Sequence, residues 1–176
     1  MHIYDPARFP MPPSQRVPPS DATVAHYREL QKRIGTTRTV VVQPRNYAID
    51  NRVTLDAIAQ LGADARGVAV LHPSITDSEL KALDAGGIRG IRFTLGDPAT
   101  AVVKVDMIEP LAKRVVELGW HIQFNVEGAQ VVELADVFRR LPTQMVFDHL
   151  GNPTLPAGID LTAYRAAPPS NRSRPV

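Results

Sequence analysis

The sequence predicts an α/β fold, an incomplete (β/α)8 barrel of about six parallel β/α units, and three observations carry that reading. First, β-prone runs that end at proline, His-Pro or a Gly-Asn-Pro turn alternate with helical patterns that stop at glycine. Such alternation with short links implies parallel strands joined by right-handed crossovers, in a doubly wound sheet or a barrel. Second, polar residues stand near several strand ends, where a barrel builds its site. Third, the first strand-to-helix turn lacks the glycine fingerprint of a dinucleotide-binding sheet. A complete barrel takes eight units and roughly 250 residues. This chain has 176 residues and runs out after six.

The elements follow in order. Met1 to Tyr4 is a short apolar and aromatic first strand, and the proline-rich stretch from Asp5 to Pro19 can hold neither helix nor central strand. Ser20 and Asp21 offer N-cap chemistry to a helix from about Ala22 to Arg33, which ends near Gly35. Thr39 to Gln43 is a buried type of strand stopped by Pro44. Asp50 opens a helix on which Val53, Leu55, Ile58 and Leu61 keep helical spacing until Gly62. The pattern then repeats. Gly67 to Leu71 is a strand closed by His72-Pro73, and Ser74 to Ala85 holds a helix ended by Gly86-Gly87. Ile88 to Leu95 is the next strand, followed by a Gly96-Asp97-Pro98 loop and a helix from Asp106 to Leu118. Trp120 to Val126 is a strand, Gly128 to Arg140 a helix, and Pro142 introduces a last strand that ends at His149.

One domain is expected, over residues 1–161, because a chain of this length with 44% hydrophobic residues has one ordinary core to bury. Residues 162–176 pass into a Pro/Ser/Arg stretch with the composition of a disordered tail. The net charge of +2 is spread over the chain, which argues against nucleic acid or a membrane surface as partner. No apolar run approaches the roughly 20 residues of a spanning helix, so a cytoplasmic protein is expected. With no cysteine there are no thiol nucleophiles or thiolate metal sites.

Strand alternation groups the candidates for chemistry. His2 and Tyr4 share one face, as do Gly90, Arg92 and Thr94, then His121, Gln123 and Asn125. On the last strand Phe147 and His149 share a face, which makes His149 the pocket candidate. Two histidines, an arginine and an amide would then converge at one mouth. Arg92 offers a charged fork suited to a carboxylate, and an imidazole can donate to an oxygen gaining charge. Each has a plainer role as well: Arg92 as a structural ion-pair partner, Asn125 as a loop cap, His149 as a satisfied polar residue. His26 reads as solvated, His72 as turn chemistry and His121 as structural, since it starts its strand.

Several segments, in order and spacing, carry a resemblance: His2-Ile-Tyr-Asp-Pro with Arg8-Phe-Pro, Val40-Val-Val-Gln, Asp50-Asn-Arg with Leu55-Asp-Ala-Ile-Ala, Arg66-Gly-Val-Ala-Val, Gly87-Ile-Arg-Gly-Ile-Arg-Phe, Gly119-Trp-His and Phe147-Asp-His-Leu-Gly-Asn-Pro. To about Leu161 the chain resembles the amidohydrolase superfamily, in its 2-pyrone-4,6-dicarboxylate lactonase branch of TIM-barrel hydrolases. The resemblance implies hydrolysis of a lactone or related cyclic ester of a carboxylated catabolic intermediate. It implies His2 (second member of a His-x-His) and His149 as catalytic residues, Arg92 as the carboxylate arginine, and Arg45 and Asn125 as substrate-binding positions. The branch has tyrosine at the place of Asn125, serine near Arg45 and a second arginine in the loop that here reads Gly96-Asp97-Pro98. Its water-activating aspartate lies on an eighth strand, which this sequence does not reach, so the chain is expected to be truncated at both ends. No metal ligand is assigned, although superfamily members often hold a divalent metal such as zinc. The alternative is a non-catalytic remnant or half-barrel that associates with another chain, and self-association through open sheet edges is expected.

Overall fold

The computed structural model describes residues 1–13, 20–96 and 101–153. The expected loop positions Asp97 and Pro98 and the expected tail over 162–176 lie outside these residues. Five strands are present: β1 (Thr39–Val42), β2 (Ala65–Ala69), β3 (Ile88–Thr94), β4 (His121–Asn125) and β5 (Met145–Phe147), in the sheet order β1-β2-β3-β4-β5. Helices α1 (Val24–Ile34), α2 (Arg52–Leu61), α3 (Asp77–Ala85), α4 (Ile108–Val115), α5 (Gly128–Glu133) and α6 (Ala135–Arg140) fall between them. The α/β alternation is the predicted one. By packing, the chain divides into two compact units, Met1–Arg92 and Phe93–Val176.

In the first unit β1 pairs parallel with β2, and β2 with β3, with Val42 level with Val68 and Val68 level with Gly90. Gly67 shows which face meets the helices. A Cβ there would lie 2.6 Å from both Ile58 Cδ1 and Ile88 Cδ1, so β2 rests closely on α2 and a side chain at 67 would have to displace both isoleucine ends. Val53, Ala57 and Ile58 of α2 are buried on that side. Thr54 reaches from α2 to the strand level, where its hydroxyl donates to Gln43 Oε1 (2.6 Å). Helix α3 begins at a capping box in which Thr76 and Glu79 each accept from the other's backbone N–H, so the helix starts later than Ser74. Helix α1 likewise takes Thr23 as its N-cap, with His26 closing the box, rather than Ser20 or Asp21.

The expected strand over Met1 to Tyr4 is reduced to local pairing. The Met1 amine donates to Val40 O (3.0 Å) and Val42 N–H to Met1 O (2.8 Å), while Tyr4 forms a single antiparallel bridge with Ala22. Asp5-Pro6 turns the chain away before a ladder forms, because proline has no N–H to extend it.

In the second unit β4 and β5 pair parallel, Phe124 opposite Phe147. Phe93, Phe124, Phe138 and Phe147 make one aromatic cluster, with ring centroids of successive neighbours 4.8 to 5.8 Å apart. Such pairs add about 0.5–1.5 kcal/mol each beyond area burial. The helix expected over 106–118 is α4 framed by 3-10 turns at Val105–Met107 and Val116–Leu118, and it buries Ile108, Leu111, Ala112 and Val115. The helix expected from Gly128 to Arg140 is broken at Leu134, where φ −98° and ψ 8° leave helical geometry between α5 and α6.

Candidate active site

In the first unit the pivotal group is Arg92, on β3 two residues beyond Gly90 and only 6% exposed. Alternation from Gly67, which faces α2, puts Val42, Val68, Gly90 and Arg92 on the face away from that helix. His2 joins this level: its Nδ1–H donates to Val42 O at 2.7 Å. Since a carbonyl only accepts, that bond fixes the proton on Nδ1 in the neutral ring.

Tyr4 lies between these groups. Its ring meets His2 edge-on, with 6.3 Å between centroids, and its hydroxyl donates to Asn46 Oδ1 (3.3 Å). Burial raises its pKa above the usual phenol value, and the positive charges of Arg92 and Arg45 oppose that rise. Both guanidinium groups therefore bear on one phenol. Arg45 is exposed and opens the 3-10 turn Arg45–Tyr47 after β1. The turn is held by Gln43, whose Nε2 donates to Ala48 O (3.3 Å) and Asp50 O (2.8 Å), and it ends in a strained Ala48 at φ 48°. The first unit thus brings together His2, Arg45 and Arg92. Sequence reasoning missed that Tyr4 and Asn46 stand among them; the shared face of His2 and Tyr4 was the available signal.

In the second unit the expected presentation of His149 is corrected. Strand β5 stops at Phe147, and Phe147 packs on Phe124 and Phe138, the side taken by α6. The opposite face carries Gln123 and Asp148, whose side chains are joined by a hydrogen bond from Gln123 Nε2 to Asp148 Oδ1. His149 is exposed and lies outside the strand, because the backbone turns left-handed at His149 (φ 51°), Leu150 (58°), Gly151 (78°) and Asn152 (45°). Left-handed helical geometry costs L-residues about 1–2 kcal/mol each. Leu150, at 78% exposed, recovers none of it by burial. The turn is closed by Asn152 N–H on His149 O (3.0 Å). Asn152 Nδ2 donates to Val126 O (2.8 Å) and to Asn125 Oδ1 (3.3 Å), so Asn125 is bonded to the turn that carries His149.

His26 is exposed and occupied by its cap, and His72 bonds Ser74 in a turn, as expected. Among the described residues no group of three or more His, Cys, Asp or Glu could hold a metal ion. His2, with Nδ1 committed to a carbonyl, offers one nitrogen, which does not make up a tetrahedral donor set. Among the described residues this donor set does not fit a zinc ion.

Parallel β/α units that carry polar side chains towards the strand ends have the architecture of TIM-barrel enzymes. The chain belongs to the amidohydrolase family, whose profile matches residues 1–176. A 2-pyrone-4,6-dicarboxylate hydrolase of Comamonas testosteroni is 38% identical over 160 residues, covering 90% of this chain and 52% of the relative. A 4-sulfomuconolactone hydrolase of Rhizobium radiobacter is 28% identical over 167 residues, covering 94% and 56%. A probable 2-pyrone-4,6-dicarboxylic acid hydrolase of Acinetobacter baumannii, solved with citric acid bound, superposes with a TM-score of 0.77 at 27% identity over 94% of this chain and 62% of its own. The strands and helices described here are thus part of a TIM-barrel amidohydrolase fold. The chain spans about half the length of the curated relatives it matches.

Proposed function

We propose that the chain serves the hydrolysis of a lactone or related cyclic ester that bears an acidic group, in the cytoplasm and in catabolism. The observation that carries this reading is Arg92, a guanidinium buried on β3 whose charge, with that of Arg45, bears on Tyr4, the ring that packs against His2. A permanently charged fork in a low-dielectric setting binds a carboxylate strongly and rejects a neutral analogue. The names of the two relatives, one a pyrone dicarboxylate hydrolase and one a sulfomuconolactone hydrolase, agree with an acidic lactone. In the proposed reaction water adds to the lactone carbonyl, the ring C–O bond breaks with a proton passing to the leaving oxygen, and a single ring-opened hydroxy carboxylate is released. His149 is proposed to donate to an oxygen that gains charge, with His2 assisting. Arg92, Arg45 and Asn125 are proposed to bind substrate. The base that takes the proton from water is assigned to no residue of this chain.

A panel of lactones with and without carboxylate groups tests this. Hydrolysis confined to the carboxylated compounds is expected, and Arg92→Ala should raise KM for them about 10–100-fold, the loss of a charge-assisted bond. Equal rates on neutral lactones would sink the assignment. Chelation is expected to leave the rate unchanged; restoration by added zinc would instead put a metal in the site. A second reading, a non-catalytic remnant or half-barrel that associates with another chain, draws on the half-length match to the relatives. Turnover by the chain alone would dismiss it.

A further inference from the structure

We infer that Asn152 is a positioning residue for His149: its side-chain amide holds the left-handed turn at residues 149–152 against the end of β4 and ties that turn to Asn125. This rests on the roles proposed above for His149 and Asn125. The His149 ring is exposed, so its direction is inherited from the backbone that carries it. That backbone occupies four consecutive left-handed conformations, three of them at residues with a Cβ. Such a segment persists only where its surroundings over-determine it.

Asn152 meets two requirements at once. Asparagine accepts a positive φ through its short polar side chain, and its two N–H groups reach Val126 O at 2.8 Å and Asn125 Oδ1 at 3.3 Å. Glycine would satisfy only the first requirement. The carbonyl of Asn152 also accepts from Gly128 N–H (3.1 Å), and a Cβ on Gly128 would come 3.1 Å from that same oxygen. The turn is therefore seated on a bare backbone on one side and latched by an amide on the other. The latch runs to the residue proposed to bind substrate, so the two sites of action move together.

The test uses the full chain labelled with 13C-histidine, the His149 ring signal being assigned by its loss in His149→Gln. Asn152→Gly keeps the backbone conformation and removes the amide. The expected result is near-parental thermal unfolding with a displaced or broadened His149 ring signal. On a carboxylated lactone kcat should fall on the order of 10²-fold, with KM little changed. Adding Asn125→Ala to Asn152→Gly should move the signal no further, because the contact is already cut. Should Asn152→Gly fail to fold, Asn125→Ala alone is read, and a shifted His149 signal is again expected. A ring signal identical to the parent's in the folded variants would overturn the inference. Full activity of His149→Gln, together with a displaced signal in Asn152→Gly, would remove the role given to His149 and leave the positioning intact. If the parent turns over no lactone, the ring signal decides alone.

Discussion

Arg8 shows how a single side chain far from the strand ends links segments separated in sequence. Its two terminal nitrogens grip both oxygens of Asp56 on α2, at 2.8 and 2.7 Å, and so fasten the segment after Tyr4 to the helix. The bonded guanidinium holds the Asp56 carboxyl below its ordinary value of 3.8. A carboxyl depressed in the folded state contributes stability above the unfolded value, and that contribution disappears as pH falls through the folded one. Asp56→Asn should therefore melt below the parent at neutral pH, and the two melting temperatures should converge in acid. A gap that persists in strong acid would mean that the residue acts through packing. Arg92 is the opposite case, a charge carried inward on a strand, and its alanine variant tests binding rather than acid sensitivity.

Among the elements, β2 and α2 approach closely at Gly67. Gly67→Ala would drive a methyl into Ile58 and Ile88 at 2.6 Å, and overpacking of this sort costs about 1–3 kcal/mol. Chemical denaturation should show a lower midpoint with an unchanged slope; an unaffected midpoint would mean that the helix shifts freely. The strands and helices were legible because each carries its own local code. The apolar spacing of α4, the Thr76-x-x-Glu79 cap and the proline after β1 all act within a few residues. Two features lacked such a code. The approach of Arg92 and Arg45 to Tyr4 joins residues tens of positions apart. The exit from β5 breaks the two-residue period just where it was needed, so alternation put His149 with Phe147 although Phe147 faces α6. Only Gly151 and Asn152, residues that accept positive φ, hinted that the period would fail there.

For the molecule as a whole, assembly is the open property. Val40 and Val146 are each nearly half exposed, on the first and last strands of the sheet order, and Leu150 is more exposed still. Met1 covers part of the β1 edge through Val40 O and Val42 N–H, and strand edges with apolar side chains invite pairing where they are not covered. Sedimentation velocity should show species heavier than the 19.3 kDa monomer that grow with concentration. A monodisperse monomer with sharp, cooperative unfolding would contradict self-association. Among the described residues no helix is long and apolar enough to cross a membrane.

The close seating of Gly128 under Asn152 also bears on how such a protein can change. A methyl group at 128 would lie 3.1 Å from the backbone carbonyl of Asn152, so a side chain there needs the turn to give by a few tenths of an ångström. Variation at 152 therefore keeps its room while 128 stays glycine, whereas variation at 128 asks the backbone of the turn to move first.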